Sequence, residues 1–355
     1  MPKESLCLKV PKIDGEKVIK TAYRLGLINK ELEVQRDNAC VYVPLARNPS
    51  KDEVQTLQGQ TAKVEVVTFT FPERKKHPAT FIEFLEDKLP PHLLACLPRA
   101  MDFVGDIAII EIPPELEAYK KAIGNAILQA HKNVGTVLAK AGAIKGEYRT
   151  REYIVIAGEP KTETVHKEHG CKYYVDLAKA YFSPRLSHEH KRVASMVKEG
   201  ETVIDMFAGV GPFSILIAKN HENVKVYAID KNPEAIALLK RNIRLNRVNG
   251  KVHPILGDAK HVIRQQLRRL ADRVIMNLPE KAIEFIEAAC EALKTEGGIL
   301  HFYSFVKEGE PLEKLKQQFI AEVEKYGRTA KIFSTRFVRE TAPYEWQAVL
   351  DAEIR

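Results

Sequence analysis

The chain has 355 residues, too many for one ordinary hydrophobic core and enough for two or three domains. It is 45% hydrophobic and 29% charged, which argues against a chain dominated by disorder, and its net charge of +8 leans toward a polyanionic partner. Five scattered cysteines without a CxxC pair argue against a disulfide framework or a zinc knuckle, and no apolar run has signal-peptide or membrane-spanning length, so a cytoplasmic protein with no membrane association is expected.

From the N-terminus, LCLKV reads as a strand, EKVIKTAYRLGLI as an amphipathic helix, ACVYVPLA as a strand, SKDEVQTLQG as a helix and KVEVVTFTF as a β-branched strand. They make a small α+β module over residues 1–71. Pro72–Pro78, PERKKHP, sets four basic residues between prolines and reads as a linker at 72–79.

A second α+β module is expected over 80–165. It has helices in ATFIEFLEDKLPPHLLACL, one strand in FVGDIAIIEIP, a helix in EAYKKAIGNAILQAHKN and a strand in TVLAKAG, followed by β-rich EYRTREYIVIAGEP. TVHKEHGCKYYVDLAK reads as antiparallel pairing at the start of the last domain, 166–355. From about His188, strands TVIDMF, KVYAID, VHPILGD, RVIMNLP and GGILHFYSF alternate with helices, the pattern of a mostly parallel, Rossmann-like α/β sheet. AVLDAEI adds an expected edge strand.

In such a sheet ligands sit at the carboxyl ends of the strands, where the strand order switches. There the first strand ends at Asp205 and runs through Phe207, Gly209 and Gly211 into an apolar helix. The dinucleotide fingerprint GxGxxG fails, because Ser214 stands where the third glycine belongs. Asp230 ends the second strand about twenty residues on, where an acid takes both ribose hydroxyls, and Asp258 ends the third, where a carboxylate accepts from an adenine amino group. Each acid alone is more often a solvated strand terminus; the succession points to an adenosine-bearing ligand. DMFAGVGPF resembles the glycine loop of the class I S-adenosylmethionine-dependent methyltransferases, which implies S-adenosyl-L-methionine as cofactor.

Asn277-Leu278-Pro279-Glu280 ends the fourth strand, where an Asn-x-Pro segment holds an amide against a planar acceptor. Upstream, Ser187 is expected to cap the helix HEHKRVASMVK, whose Glu189 either favours the helix dipole or removes a proton. A guanine N1 keeps its proton far above neutral pH, so methylating it requires a base. On a strand, Glu147, Arg149 and Arg151 share one face; Arg149 is placed to stabilise charge building on a guanine O6, and Arg151 reads as a paired surface charge.

Together SPRLSHEHKR, DMFAGVGPF, NLP and GEYRTRE resemble the archaeal and eukaryotic type of tRNA (guanine-N1)-methyltransferase, over roughly Pro78 to the C-terminus, with a softer likeness in the N-terminal module. The resemblance implies methylation of the guanosine immediately 3′ of the anticodon, with Glu189 as base and Arg149 orienting the guanine. It places Tyr181, Arg185, Asn277 and Pro279 in the target pocket, and His190, Asp230, Lys231, Asp258, Ala259 and Asn277 along the cofactor. It also implies small RNA-binding modules ahead of the catalytic domain, the N-terminal one reading tRNA shape. Glu280 departs from relatives that carry a basic residue there.

Lys240, Arg244, Arg247 and Lys251 recur at helical spacing and read equally as a solvated face or a phosphate track. His166, His169 and Cys171 lack a fourth ligand, and no metal is expected. A monomer is the default. Two alternatives stay open: a wyosine-pathway or bifunctional transferase using the same cofactor, and a non-catalytic tRNA-binding module.

Overall fold

A computed structural model describes residues 2–59, 63–73, 80–142, 146 and 148–355, divided into two compact units, Met1–Pro78 and Ala79–Arg355. The basic residues of the expected linker, 74–77, and Glu147 lie outside the described residues.

In the first unit, β1 (Lys3–Pro11) is followed by α1 (Gly15–Arg24), β2 (Gln35–Arg36), β3 (Cys40–Pro44), α2 (Lys51–Gln58) and β4 (Glu65–Phe71). The sheet order is β2-β3-β1-β4, antiparallel throughout. α2 begins where a capping box dictates: Ser50 Oγ accepts from the Glu53 N–H at 3.3 Å, and the Glu53 carboxylate accepts from the Ser50 N–H at 2.8 Å. Leu8, Val10, Val18, Ala22, Val43 and Leu57 make its core.

The second unit opens with the short helix α3 (Pro91–Leu94) and a β platform: β5 (Met101–Val104), β6 (Ile107–Ile110), α4 (Lys120–Ala130), β7 (Thr136–Lys140) and β8 (Tyr153–Gly158), ordered β5-β6-β7-β8. FVGDIAIIEIP, expected as one strand, is two. Gly105 at φ +55 turns the chain, and a Cβ there would strike the Thr164 hydroxyl. Tyr148 and Arg149, expected in a strand, lie in a turn, with Arg149 itself left-handed at φ +54. The face-sharing of Arg149 and Arg151 is therefore lost.

A hairpin of β9 (Glu163–Glu168) and β10 (Cys171–Asp176) leads to α5 (Ser187–Met196). Ser187 is not its cap: Leu186 holds that position, and Ser187 Oγ instead bonds His169 Nε2 at 2.9 Å.

The remaining chain alternates as its periodicity requires: β11 (Thr202–Asp205), α6 (Pro212–Asn220), β12 (Lys225–Asp230), α7 (Pro233–Asn246), β13 (Val252–Leu256), α8 (Ala259–Val262), β14 (Arg273–Met276), α9 (Ile286–Ala292), β15 (Gly298–Lys307), α10 (Leu312–Glu324), β16 (Ala330–Ala342) and β17 (Glu345–Ile354). The sheet order is β13-β12-β11-β14-β15-β17-β16, with the first five strands parallel. AVLDAEI is therefore an inner strand: β17 pairs antiparallel with both β15 and β16, and β16 is the edge. Three register shifts along β16 break its alternation, which hides it from a period-two reading. Two cores cover the sheet, one including Val193, Leu216, Ile217 and Leu239, the other Val262, Ile286 and Phe319. Successive strands run outward on either side of β11 and β14, so a crevice opens at their carboxyl ends. Among the described residues no helix is long and apolar enough to cross a membrane.

Candidate active site

A cavity of about 570 Å³ lies at that crevice, walled by the glycine loop, the ends of β12 to β14, Gly146, Tyr148 and Arg149, and the β16–β17 hairpin. After β11 the chain must turn sharply into α6, and two left-handed glycines make the turn: Gly209 at φ +56 and Gly211 at φ +94. Gly211 is the N-cap of α6, and a Cβ there would run into the Leu239 Cδ1 methyl. Gly211→Ala should destabilise the protein by about 1–3 kcal/mol and weaken ligand binding at the loop, as read by urea denaturation and titration.

Ser214 takes the third glycine's place for a visible reason. Its buried hydroxyl donates to Asp205 Oδ2 at 2.7 Å, tying the first turn of α6 to the end of β11. Asp205 itself does not line the cavity, contrary to its expected place beside the cofactor; it is fully buried behind the loop. Its Oδ1 has no partner, and burial pushes the carboxyl up to about 7. The folded-state value lies above the ordinary 3.8, so the stability this acid lends is full below about pH 4 and is lost as pH rises through about 7. Asp205→Asn keeps an oxygen for Ser214 and cannot ionise. Relative to wild type it should gain on the order of 2–4 kcal/mol between pH 4 and 8, measured by denaturant unfolding across that range.

Gly211, expected along the cofactor, shapes the loop without lining the cavity; the other expected cofactor residues do meet. Phe207, Gly209, Asp230, Lys231, Asp258, Ala259, His190 and Asn277 all line the cavity. Asp230 Oδ2 accepts from the Gly209 N–H at 2.7 Å and Oδ1 from the Asn232 N–H at 2.9 Å, so the acid that ends β12 also sets the glycine loop. Burial raises its pKa against the lowering by these N–H groups. Asp258 caps α8 through the Lys260 N–H at 3.0 Å. His190 is buried, with Nδ1 on Glu168 Oε1 at 2.6 Å and Nε2 without a partner. Burial pushes the Glu168 carboxyl up, but the flanking His166 and His190 outweigh it and hold it at about 2. His166 Nε2 stands 3.7 Å from its second oxygen, beyond a hydrogen bond. A carboxylate that accepts from Nδ1 leaves the Nε2 lone pair for the cavity.

The acceptor wall is assembled partly as expected. Arg149, Tyr181, Asn277, Pro279 and Glu280 line the cavity. The Arg149 guanidinium lies 5.5 Å over the Tyr181 ring. Its Nη1 is 2.7 Å from Glu280 Oε2, an ion pair whose N–H is not well aligned on the carboxylate. Arg185 is not in the pocket: it clasps Asp102 of β5 with two bonds, 2.5 and 3.0 Å, and joins the platform to the segment before α5. Asn277 Oδ1 accepts from Gln347 Nε2 at 2.9 Å, and Gln347 Oε1 accepts from Arg339 Nε at 2.9 Å. Arg339 also donates to Ser183 Oγ and Tyr181 Oη at 2.7 and 2.9 Å, so a continuous polar string backs this wall. Arg339 and Gln347 were missed by the sequence reading; their only local signal was polarity within the apolar C-terminal run.

Glu189 departs most from expectation. It is buried and outside the cavity wall, although His190 beside it and Leu186 one turn earlier are in that wall. Its carboxylate accepts from Arg192 at 2.6 Å, Tyr303 Oη at 2.7 Å and Arg336 Nη2 at 2.7 Å. Arg192 is held from its other side by Asp351, at 2.6 and 3.1 Å, and Asp351 by His301 Nδ1 at 2.6 Å. His301 Nε2 faces Arg273 Nη1 at 2.8 Å; a guanidinium only donates, so His301 is neutral, as its lowered pKa from burial agrees. Burial pushes Asp351 up, yet His301 and Arg192 hold it at about 2.

Of the basic series in and after α7, Arg247 is the left-handed C-cap and Lys251, beyond the helix, spends its Nζ on the backbone carbonyls of Ala218 and His221, at 3.2 and 2.7 Å. These four do not form one phosphate track.

The chain's resemblances are consistent along its length. Residues 164–328 match the model of the TRM5/TYW2 methyltransferase domain, 82–162 that of the TYW2 N-terminal domain, and 7–53 that of the tRNA methyltransferase 5 N-terminal domain. The tRNA (guanine(37)-N(1))-methyltransferase Trm5b of Pyrococcus abyssi is 41% identical over 354 residues, 99% of each chain. The crystal structure of wild-type Trm5b from Pyrococcus abyssi superposes with a TM-score of 0.78 at 40% identity, covering 99% of both chains. A complex of aTrm5 and tRNALeu superposes with a TM-score of 0.72 at 35% identity, covering 99% of this chain and 100% of that one. With the glycine loop, the acids at the ends of β12 and β13 and the Asn277 wall in one crevice, the chain belongs to the TRM5/TYW2 methyltransferase family.

Proposed function

We propose that this protein methylates N1 of the tRNA guanosine immediately 3′ of the anticodon, using S-adenosyl-L-methionine. The observation that carries this reading is a single cavity with two unlike walls. One combines the glycine loop with Asp230 and Asp258; the other holds Arg149, Tyr181, Asn277 and Pro279.

The residues present fit the cofactor. Gly209 allows close backbone approach, Asp230 and Asp258 offer carboxylate oxygens for ribose and adenine, and the unpartnered His190 Nε2 accepts from an ammonium group. When bound, S-adenosyl-L-methionine supplies an electrophilic methyl on a sulfonium sulfur. The chain's own residues prepare the acceptor. The target guanine leaves its stack at a cost of a few kcal/mol and is received against Tyr181 and Pro279. Arg149, in the cavity wall, offers its guanidinium to O6, where negative charge grows as N1 loses its proton. Glu189, buried outside that wall, must be uncovered to receive that proton.

Labelled cofactor and two tRNA transcripts that differ only at this nucleotide, guanosine or adenosine, test the reading. Label confined to the guanosine transcript and recovered as 1-methylguanosine is expected; label in both would discard the site assignment.

The likeness of residues 82–162 to the TYW2 N-terminal domain supports a second reading, transfer of the cofactor's aminocarboxypropyl chain to a wyosine precursor. Methylthioadenosine as the by-product would identify it, whereas methylation leaves adenosylhomocysteine. The N-terminal match to tRNA methyltransferase 5 over 7–53 favours methylation.

A further inference from the structure

Glu189 carries more donors than a working base can keep. Oε1 accepts from Tyr303 and Arg192, and Oε2 from Arg336 at 2.7 Å and more distantly from Arg192 Nε at 3.1 Å. Two of these partners cannot withdraw. Tyr303 is fully buried in the core, and Arg192 is fastened by Asp351, itself fastened by His301. Arg336 differs. It stands on β16, the sheet's free edge, its side chain is 40% exposed, and its side-chain hydrogen bond among the described residues is the single one from Nη2 to Glu189. Its remaining N–H donors are unspent. Three residues on, across a bulge, Arg339 lines the cavity, so one strand carries a guanidinium in the wall and another just outside it.

We infer that Arg336 is a displaceable mask on Glu189, withdrawn when a phosphodiester oxygen of the bound RNA takes its guanidinium. This rests on the reading of Glu189 as the base. A guanidinium joined to a carboxylate by one N–H gains by pairing two N–H groups with a phosphate, and RNA delivers phosphates at high local density. Charge balance explains why unmasking produces a base. The connected set of Glu201, Arg273, Asp351, Arg192, Glu189 and Arg336, with neutral His301 and Tyr303 between, has as many acids as guanidiniums. Withdrawal of Arg336 leaves one buried negative charge in excess, and capture of the N1 proton cancels it. Oε2 then keeps only its longer bond from Arg192 and has a lone pair to offer, while Arg192 and Tyr303 continue to aim the carboxylate.

The test measures tRNA affinity as a function of salt, with single-turnover methyl transfer, for the full-length chain and its E189Q, R336A and R336K variants. A neutral amide holds the guanidinium less strongly, so E189Q should bind tRNA roughly threefold tighter than wild type. R336A should bind more weakly, with the slope of log affinity against log salt reduced by about 0.7 to 1. Its defect should fall on KM for tRNA more than on kcat, and R336K should recover part of the affinity. Equal tRNA affinity and salt slope in wild type and E189Q would overturn the mask, as would an R336A defect confined to kcat. Should R336A not fold, the E189Q and R336K arms still decide. Failure of the underlying reading shows separately: E189Q transferring methyl at the wild-type rate removes Glu189 as base, and the mask with it, whatever the binding data.

Discussion

Glu189→Gln is expected to lower the single-turnover rate of methyl transfer by about 10²- to 10⁴-fold while both ligands still bind. The argument starts from the acceptor. Guanine N1 holds its proton at neutral pH, so the nitrogen lone pair is unavailable until a base removes that proton. Both Glu189 oxygens are acceptors, with two guanidiniums and a tyrosine hydroxyl donating to them. The amide of the variant can still accept from Tyr303 and Arg192 and is nearly isosteric, so the loss would report the missing proton acceptor and not a collapsed helix. Rapid-quench measurement with saturating tRNA and cofactor, alongside equilibrium binding of each, separates the two. An unchanged rate would move the proton to another acceptor. His190 would then be the candidate, because it lines the cavity, its Nε2 has no partner among the described residues, and Glu168 holds its Nδ1.

Arg149→Ala is expected to cost about 10²- to 10³-fold in kcat, the usual scale for removing one donor aimed at developing negative charge. The geometry favours an electrostatic role over a merely structural one. The guanidinium lies over Tyr181, and its contact with Glu280 is a charge pair without a well-aligned hydrogen bond. Lysine should rescue poorly, because an ammonium has neither the planar fork nor the same preference for an aromatic face. Circular dichroism and urea denaturation should show R149A folded like wild type, since the residue sits on a turn at the cavity rim. A loss confined to KM for tRNA would assign Arg149 to docking and leave O6 without its donor.

The left-handed turn at Arg149 shows how a residue is found while its geometry is missed. The alternation in GEYRTRE suggested a strand, yet Gly146 and Arg149 both take positive φ, and the side chain reaches the cavity from a bend. The same holds for Arg185, whose neighbours in the chain form the pocket while its own side chain is captured by Asp102, eighty-three residues away. Asp205 looked like its fellow strand-end acids, but Ser214 draws it behind the loop.

What the sequence determined by itself was local: the alternation of strands and helices, the capping box of α2, the two glycines that alone allow the turn into α6, and the acids that end β12 and β13. Each follows from backbone sterics or from a period of two or 3.6, which act within one or two turns of chain. Only the tertiary structure decided which groups share a wall and which are spent on one another. Asn277 meets Gln347, and Asp351 fastens Arg192 to Glu189, only because strands distant in sequence pair in this register. β16, irregular at three places, gave no periodic signal, yet it supplies both Arg336 and Arg339. Partner choice among buried charges depends on distances through a desolvated interior, and a linear sequence does not encode those distances until the sheet has closed around them.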